Sequence, residues 1–113
     1  MKQFLLVFRS GFNDIAKRTP EEAQAVTLQW MDWIKTIAAE NKLVDRGNRL
    51  TESGKVLKSK DVVINGPYTE IKESIGGYTL IKAESYDDAV NLSKGCPIFN
   101  AGGAVEIREI NPM

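Results

Sequence analysis

Gln3-Phe4-Leu5-Leu6-Val7-Phe8-Arg9 is the stretch on which the fold turns. Phe4, Leu6 and Phe8 fall on one side of an extended chain, Leu5 and Val7 on the other, with the two-residue period of a strand. A strand with one wet face carries polar residues on one of those sets. Apolar residues on both predict a central strand in a sheet covered on both faces.

Outward from this strand, Ser10 to Arg18 reads as a polar connection, and Thr19-Pro20-Glu21-Glu22 as a helix start. Thr19 supplies a cap, Pro20 occupies the first helical position, and Glu22 stands at the capping-box position. Ala23, Val26, Trp30, Ile34, Ile37 and Ala38 follow at three- and four-residue intervals, with Trp33 beside them. They predict one apolar stripe on a helix of about 20 residues, roughly 30 Å long. Asn41 suits the left-handed cap that ends it. Leu43-Val44 resumes extended structure, and Asp45 to Gly54 is polar and turn-rich. Val56 to Ile64 reads as one or two strands, with a turn or bend at Lys58-Ser59-Lys60, and Asn65-Gly66-Pro67 breaks it. Gly76-Gly77 opens a strand that runs over residues 78–83. Ser85 caps a short helix with Asp88 at the capping-box position, stopped by Gly95-Cys96-Pro97. Ala104 to Ile110 is the last strand.

This order predicts one α+β domain over residues 1–113, close to the ferredoxin-like β-α-β-β-α-β plan with an irregular insertion in the middle. Both helices then cover one face of an antiparallel sheet. The opposite face, part apolar and part charged through Glu106 and Arg108, is expected to pair with a second copy across a two-fold axis, enclosing a cleft.

Composition limits the chemistry. Apolar residues make up 42% and charged residues 27%, values of an ordinary globular chain. Fifteen basic and fifteen acidic residues cancel to zero net charge, which argues against nucleic acid or an anionic membrane as partner. There is no histidine and one cysteine, Cys96, so neither a Ser-His-Asp site nor a zinc site can be assembled. Acid–base chemistry would fall to Asp, Glu, Lys, Tyr or Cys96. No Gly-x-Gly-x-x-Gly loop precedes a helix, so no cofactor and no metal are expected. The apolar run Phe4–Phe8 is shorter than the ~7–15 residues of a secretory core, and nothing approaches the ~20 of a membrane span. With a lone cysteine, these features give the expectation of a cytoplasmic protein.

The segment Asn65-Gly66-Pro67-Tyr68-Thr69-Glu70-Ile71-Lys72-Glu73, followed by Ile75-Gly76-Gly77-Tyr78, is the most distinctive. Asn-Gly-Pro is a turn, and the paired glycines let the backbone pass close to another element or a ligand. The run resembles the signature of the DGPF-type, YCII-related family: Asp-Gly-Pro-Phe, then Glu and Lys-Glu, then Gly-Gly-Tyr. Asn65 stands for the Asp and Tyr68 for the Phe, while Gly66, Pro67, Glu70, Lys72, Glu73, Gly76, Gly77 and Tyr78 match. Trp30-Met31-Asp32-Trp33, Leu43-Val44-Asp45 and Cys96-Pro97 also look like this family. The resemblance implies a dimeric α/β barrel. A His–Asp pair proposed for the wider group has no counterpart here, and links of some relatives to transcription proteins imply no chemistry.

The candidate ligand-binding residues are Arg9, Asp45, Tyr68, Glu70, Lys72, Glu73, Tyr78 and Arg108; none is singled out as catalytic. Glu70, Lys72 and Glu73 read either as a binding cluster at the cleft mouth or as a salt-bridged loop. Arg9 and Arg108 read as carboxylate clamps or as inter-subunit ion pairs, and Tyr68 and Tyr78 as hydroxyl donors or as packing. Trp30 and Trp33 read as core residues before pocket walls, and Cys96 as a buried structural thiol before a nucleophile. The functional expectation is a homodimeric domain binding a small ligand or a protein partner in the cleft between sheets. The alternative is a cofactor-free enzyme acting on an organic acid or aromatic compound, with Glu70 or Asp45 as base and Arg9 or Arg108 as anion clamp.

Overall fold

A computed structural model describes residues 1–11, 18–66 and 73–112. The elements run β1 (Lys2–Gly11), α1 (Pro20–Ala39), β2 (Leu43–Asp45), β3 (Gly54–Ser59), β4 (Val62–Gly66), β5 (Glu73–Ala83), α2 (Tyr86–Ser93), a 3-10 helix (Pro97–Ala101) and β6 (Ala104–Glu109). Four strands form one sheet in the order β2-β5-β1-β6, every neighbour antiparallel. This is the ferredoxin-like arrangement. The insertion is a separate two-stranded hairpin, β3–β4, turning at Lys60-Asp61. The strand expected over 78–83 begins earlier, at Glu73, because β1 extends to Gly11 and gives it a partner that far.

β1 is central, as its double apolar pattern predicts. Phe4, Leu6 and Phe8 are buried and stand opposite Ile81, Thr79 and Gly77 of β5. On the other flank Leu6 and Phe8 face Ile107 and Val105 of β6. With Trp33 and Ile37 of α1, Ala89 of α2, Cys96 and Ile98, they make a single core between the sheet and its helices.

The capping signals act locally. The Thr19 hydroxyl accepts the Glu22 N–H at 3.1 Å, Pro20 opens α1, and Asn41 takes φ 58° just past its end. The Ser85 hydroxyl accepts the Asp88 N–H at 3.2 Å. The Asp88 carboxylate in turn accepts the Glu84 N–H at 2.9 Å and the Lys42 ammonium at 3.0 Å, fastening the approach to β2 against α2. Trp33 Nε1 donates to the Leu92 carbonyl at 2.9 Å, linking the two helices.

The apolar stripe of α1 divides in two. Its C-terminal half closes on the sheet, with Trp33 and Ile37 buried. In the other half Val26 and Trp30 are half-buried, and Ala23, expected in the core, is exposed. Ala38, also expected inside, is exposed as well. The helix is buried against the sheet at Trp33 and Ile37, and beside the half-buried Trp30 a cavity opens under the rest.

Candidate functional site

That cavity measures about 550 Å³, within the ~300–1,000 Å³ range of small-molecule sites. β1 and β5 supply its floor through Phe8, Ser10 and the backbone from Gly76 to Thr79. Val26, Trp30, Met31 and Ile34 of α1 form the roof, and Pro97, Ile98 and Ala101 close one end. It therefore lies between α1 and the sheet, inside one chain, whereas the sequence placed a cleft between two sheets.

The remaining wall is the loop Arg46-Gly47-Asn48-Arg49. This loop continues the line of β2 along β5 without regular strand geometry. The Tyr78 N–H donates to the Asn48 carbonyl at 3.2 Å and the Leu50 N–H to the Gly76 carbonyl at 2.8 Å, while Arg49 bridges to Gly77. Two glycines permit the approach. Gly47 has φ 71°, and a Cβ there would lie 1.8 Å from the Tyr78 carbonyl oxygen; one on Gly77 would lie 2.9 Å from that of Asn48. Side chains add three ties. The buried Thr79 hydroxyl donates to the Arg46 carbonyl at 2.9 Å, Asn48 Nδ2 to the Tyr78 hydroxyl at 3.1 Å, and the Gly47 N–H to an Asp45 carboxylate oxygen at 2.8 Å.

The electrostatics are one-sided. Among the described residues, the charged residues lining the cavity are Arg18, Lys35, Arg46 and Arg49, all basic. An apolar interior with basic residues in its lining suits a ligand with a hydrophobic body and an anionic head.

The sequence candidates separate into three groups. Tyr78 lines the cavity, and Asp45 fixes the turn that carries its rim. Arg9 and Arg108 lie away from it, on the sheet face opposite the helices. There Arg9 Nε donates to Glu106 at 3.0 Å and Arg108 at 3.3 Å, and these bonds, Arg9's first, hold the Glu106 carboxyl below its ordinary range. Tyr68, Glu70, Lys72 and the side chain of Glu73 lie outside the described residues. The reading missed Arg18, Lys35, Arg46 and Arg49. Two arginines bracketing Gly47-Asn48 in the Asp45–Gly54 segment were the available signal, but it registered only as a polar turn.

Trp33 is core, whereas Trp30 belongs to both core and cavity, edge-on to Phe8 at 4.8 Å between ring centres and to Trp33 at 5.7 Å. Cys96 is buried, and burial pushes its thiol up to about 12, which leaves almost no thiolate at neutral pH. Among the described residues no group of three His, Cys, Asp or Glu could hold a metal ion, and no helix is long and apolar enough to cross a membrane. A search of curated proteins finds no match. The family model of the YCII-related domain, by contrast, matches residues 10–113, nearly all of the sequence, and the chain belongs to that family.

Proposed function

We propose that this chain is a binding domain for a small organic anion with an apolar body, held between α1 and the sheet. One observation carries the reading. The described charged groups around an apolar cavity of about 550 Å³ are four cations and no carboxylate. In this pose the hydrophobic part of the ligand rests on Phe8, Trp30 and Ile34, and its anionic group meets Arg46 and Arg49 on the rim loop.

The catalytic alternative draws less support. Its anion clamps, Arg9 and Arg108, are both engaged by Glu106 on the other face. One of its two candidate bases, Asp45, spends a carboxylate oxygen on the Gly47 N–H.

Matched probes test the proposal. 3-Phenylpropionate and octanoate, each set against its neutral amide, are titrated while Trp30 fluorescence and thermal stability are followed. The acids are expected to bind at least ten-fold more tightly than the amides, and Arg49→Ala to remove most of that preference. Equal affinity for acid and amide, or no binding by either, overturns the reading.

A further inference from the structure

We infer that the cavity selects an arylalkanoate, an aromatic ring joined to a carboxylate by a short chain, and that Arg49 is the residue that reads the carboxylate. The inference rests on the organic-anion reading above and narrows it.

Strand register sets the placement. Arg49 bridges to Gly77 in antiparallel pairing, and Gly77 is in turn the partner of Phe8. Directly opposed residues of neighbouring strands share a face of the sheet. Arg49, Gly77 and Phe8 therefore form one row on the face that α1 covers, where Phe8 meets the rings of Trp30 and Trp33. All three line the cavity. The bonds from the Tyr78 N–H to Asn48 and from the Leu50 N–H to Gly76 flank the Arg49–Gly77 pair, which makes it the closer, non-hydrogen-bonded kind. Two strand spacings separate Arg49 from Phe8, roughly 10 Å between Cα atoms, and the residue between them has no side chain. The row thus runs cation, gap, aromatic ring. A carboxylate and a ring joined across the gap by a few methylenes have the same order.

The other basic residues do not converge on that point. Arg18 precedes α1, and Lys35 stands 15 residues beyond Pro20, about 22 Å along the helix axis. One head group cannot meet both. Arg46 is tied to the floor through its carbonyl, which accepts the Thr79 hydroxyl, whereas Arg49 stands beside the gap itself. The aromatic preference comes from the far end of the row. Phe8, Trp30 and Trp33 meet edge to face, with ring centres 4.8, 5.8 and 5.7 Å apart. A further aromatic ring can join such a cluster in the same geometry, which a saturated ring cannot do.

Calorimetric titration of the purified chain with benzoate, 3-phenylpropionate and 3-cyclohexylpropionate tests this. 3-Phenylpropionate is expected to bind about five-fold more tightly than benzoate, whose ring falls short of Phe8 when its head group is on Arg49. It is expected to exceed 3-cyclohexylpropionate about three-fold, although the saturated ring is the more hydrophobic. Arg49→Lys keeps the charge but loses the paired donors, and is expected to weaken 3-phenylpropionate about five-fold, against less than about two-fold for Arg18→Gln or Lys35→Gln. If benzoate or 3-cyclohexylpropionate binds as tightly as 3-phenylpropionate, or Lys35→Gln weakens binding as much as Arg49→Lys, the inference is overturned. The anion reading then still stands, provided the acids exceed their amides. Loss of the acid-over-amide preference overturns both. The ligand series uses the wild-type chain, so it decides even where a variant fails to fold.

Discussion

Gly47 and Gly77 decide whether the cationic wall exists at all. A side chain at Gly47 meets two obstacles together, a left-handed backbone and the Tyr78 carbonyl 1.8 Å away from its Cβ. The backbone conformation alone costs an L residue about 1–2 kcal/mol, and the collision adds to it. Gly47→Ala is therefore expected to lower stability by at least about 2 kcal/mol in urea unfolding and to abolish ligand-induced fluorescence change, since the loop must leave β5. Retention of both properties would show that the loop has another anchor. Asp88 gives the residue scale its pH dependence. The Glu84 N–H and then the Lys42 ammonium hold its carboxyl below the ordinary range. A carboxyl lowered by folding stabilises fully above its unfolded value of about 4, and that contribution disappears as pH falls through the lowered one. Asp88→Asn is expected to lose stability at pH 6 and to show a shallower decline in Tm between pH 5 and 2.5 than wild type. An identical decline in the two proteins would remove Asp88 from the acid response.

At the scale of the element, α1 shows what could be read in advance. Its start, its end and its partner face were all legible, because a capping hydroxyl, a proline and a 3.6-residue stripe act within a few residues of one another. The angle at which the helix stands on the sheet is set by contacts far along the chain, such as the Trp33–Leu92 bond. For that reason the stripe predicted which face of the helix turns inward and gave no sign of the cavity. The same limit applies to the site. Gly76-Gly77 announced a close approach, but its partner, the Arg46–Arg49 loop, became visible only with the pairing. Arg9 and Arg108 were plausible clamps until the β1–β6 register set Val7 opposite Glu106 and brought them to that carboxylate. The two tryptophans separate these levels. Trp33→Phe loses the bond to the Leu92 carbonyl and some packing volume, and a fall of about 2 kcal/mol in unfolding free energy is expected. Trp30→Phe leaves that bond intact, so it is expected to cost less in stability but to weaken acid binding several-fold. The reverse ranking in paired denaturation and titration experiments would mean that the roles are exchanged.

For the molecule as a whole, zero net charge conceals an uneven distribution. Cations gather at the cavity, while Glu84, Asp87 and Asp88 lie at the start of α2. With no net charge, attraction of an anion cannot come from the chain as a monopole. It must arise locally, where the low-dielectric cavity wall lets Arg46 and Arg49 act on a nearby charge. Such short-range attraction across a partly wet rim is sensitive to screening. Raising ionic strength from about 0.02 to 0.5 M shortens the Debye length from ~20 to ~4 Å. Octanoate affinity is expected to fall about five- to ten-fold over that range, while the neutral amide keeps its weaker affinity, because burial of the alkyl chain is not screened. Isothermal titration at the two salt levels separates the contributions. If acid and amide respond alike, the cations do not hold the head group, and the cavity selects its ligand by shape and apolar contact alone.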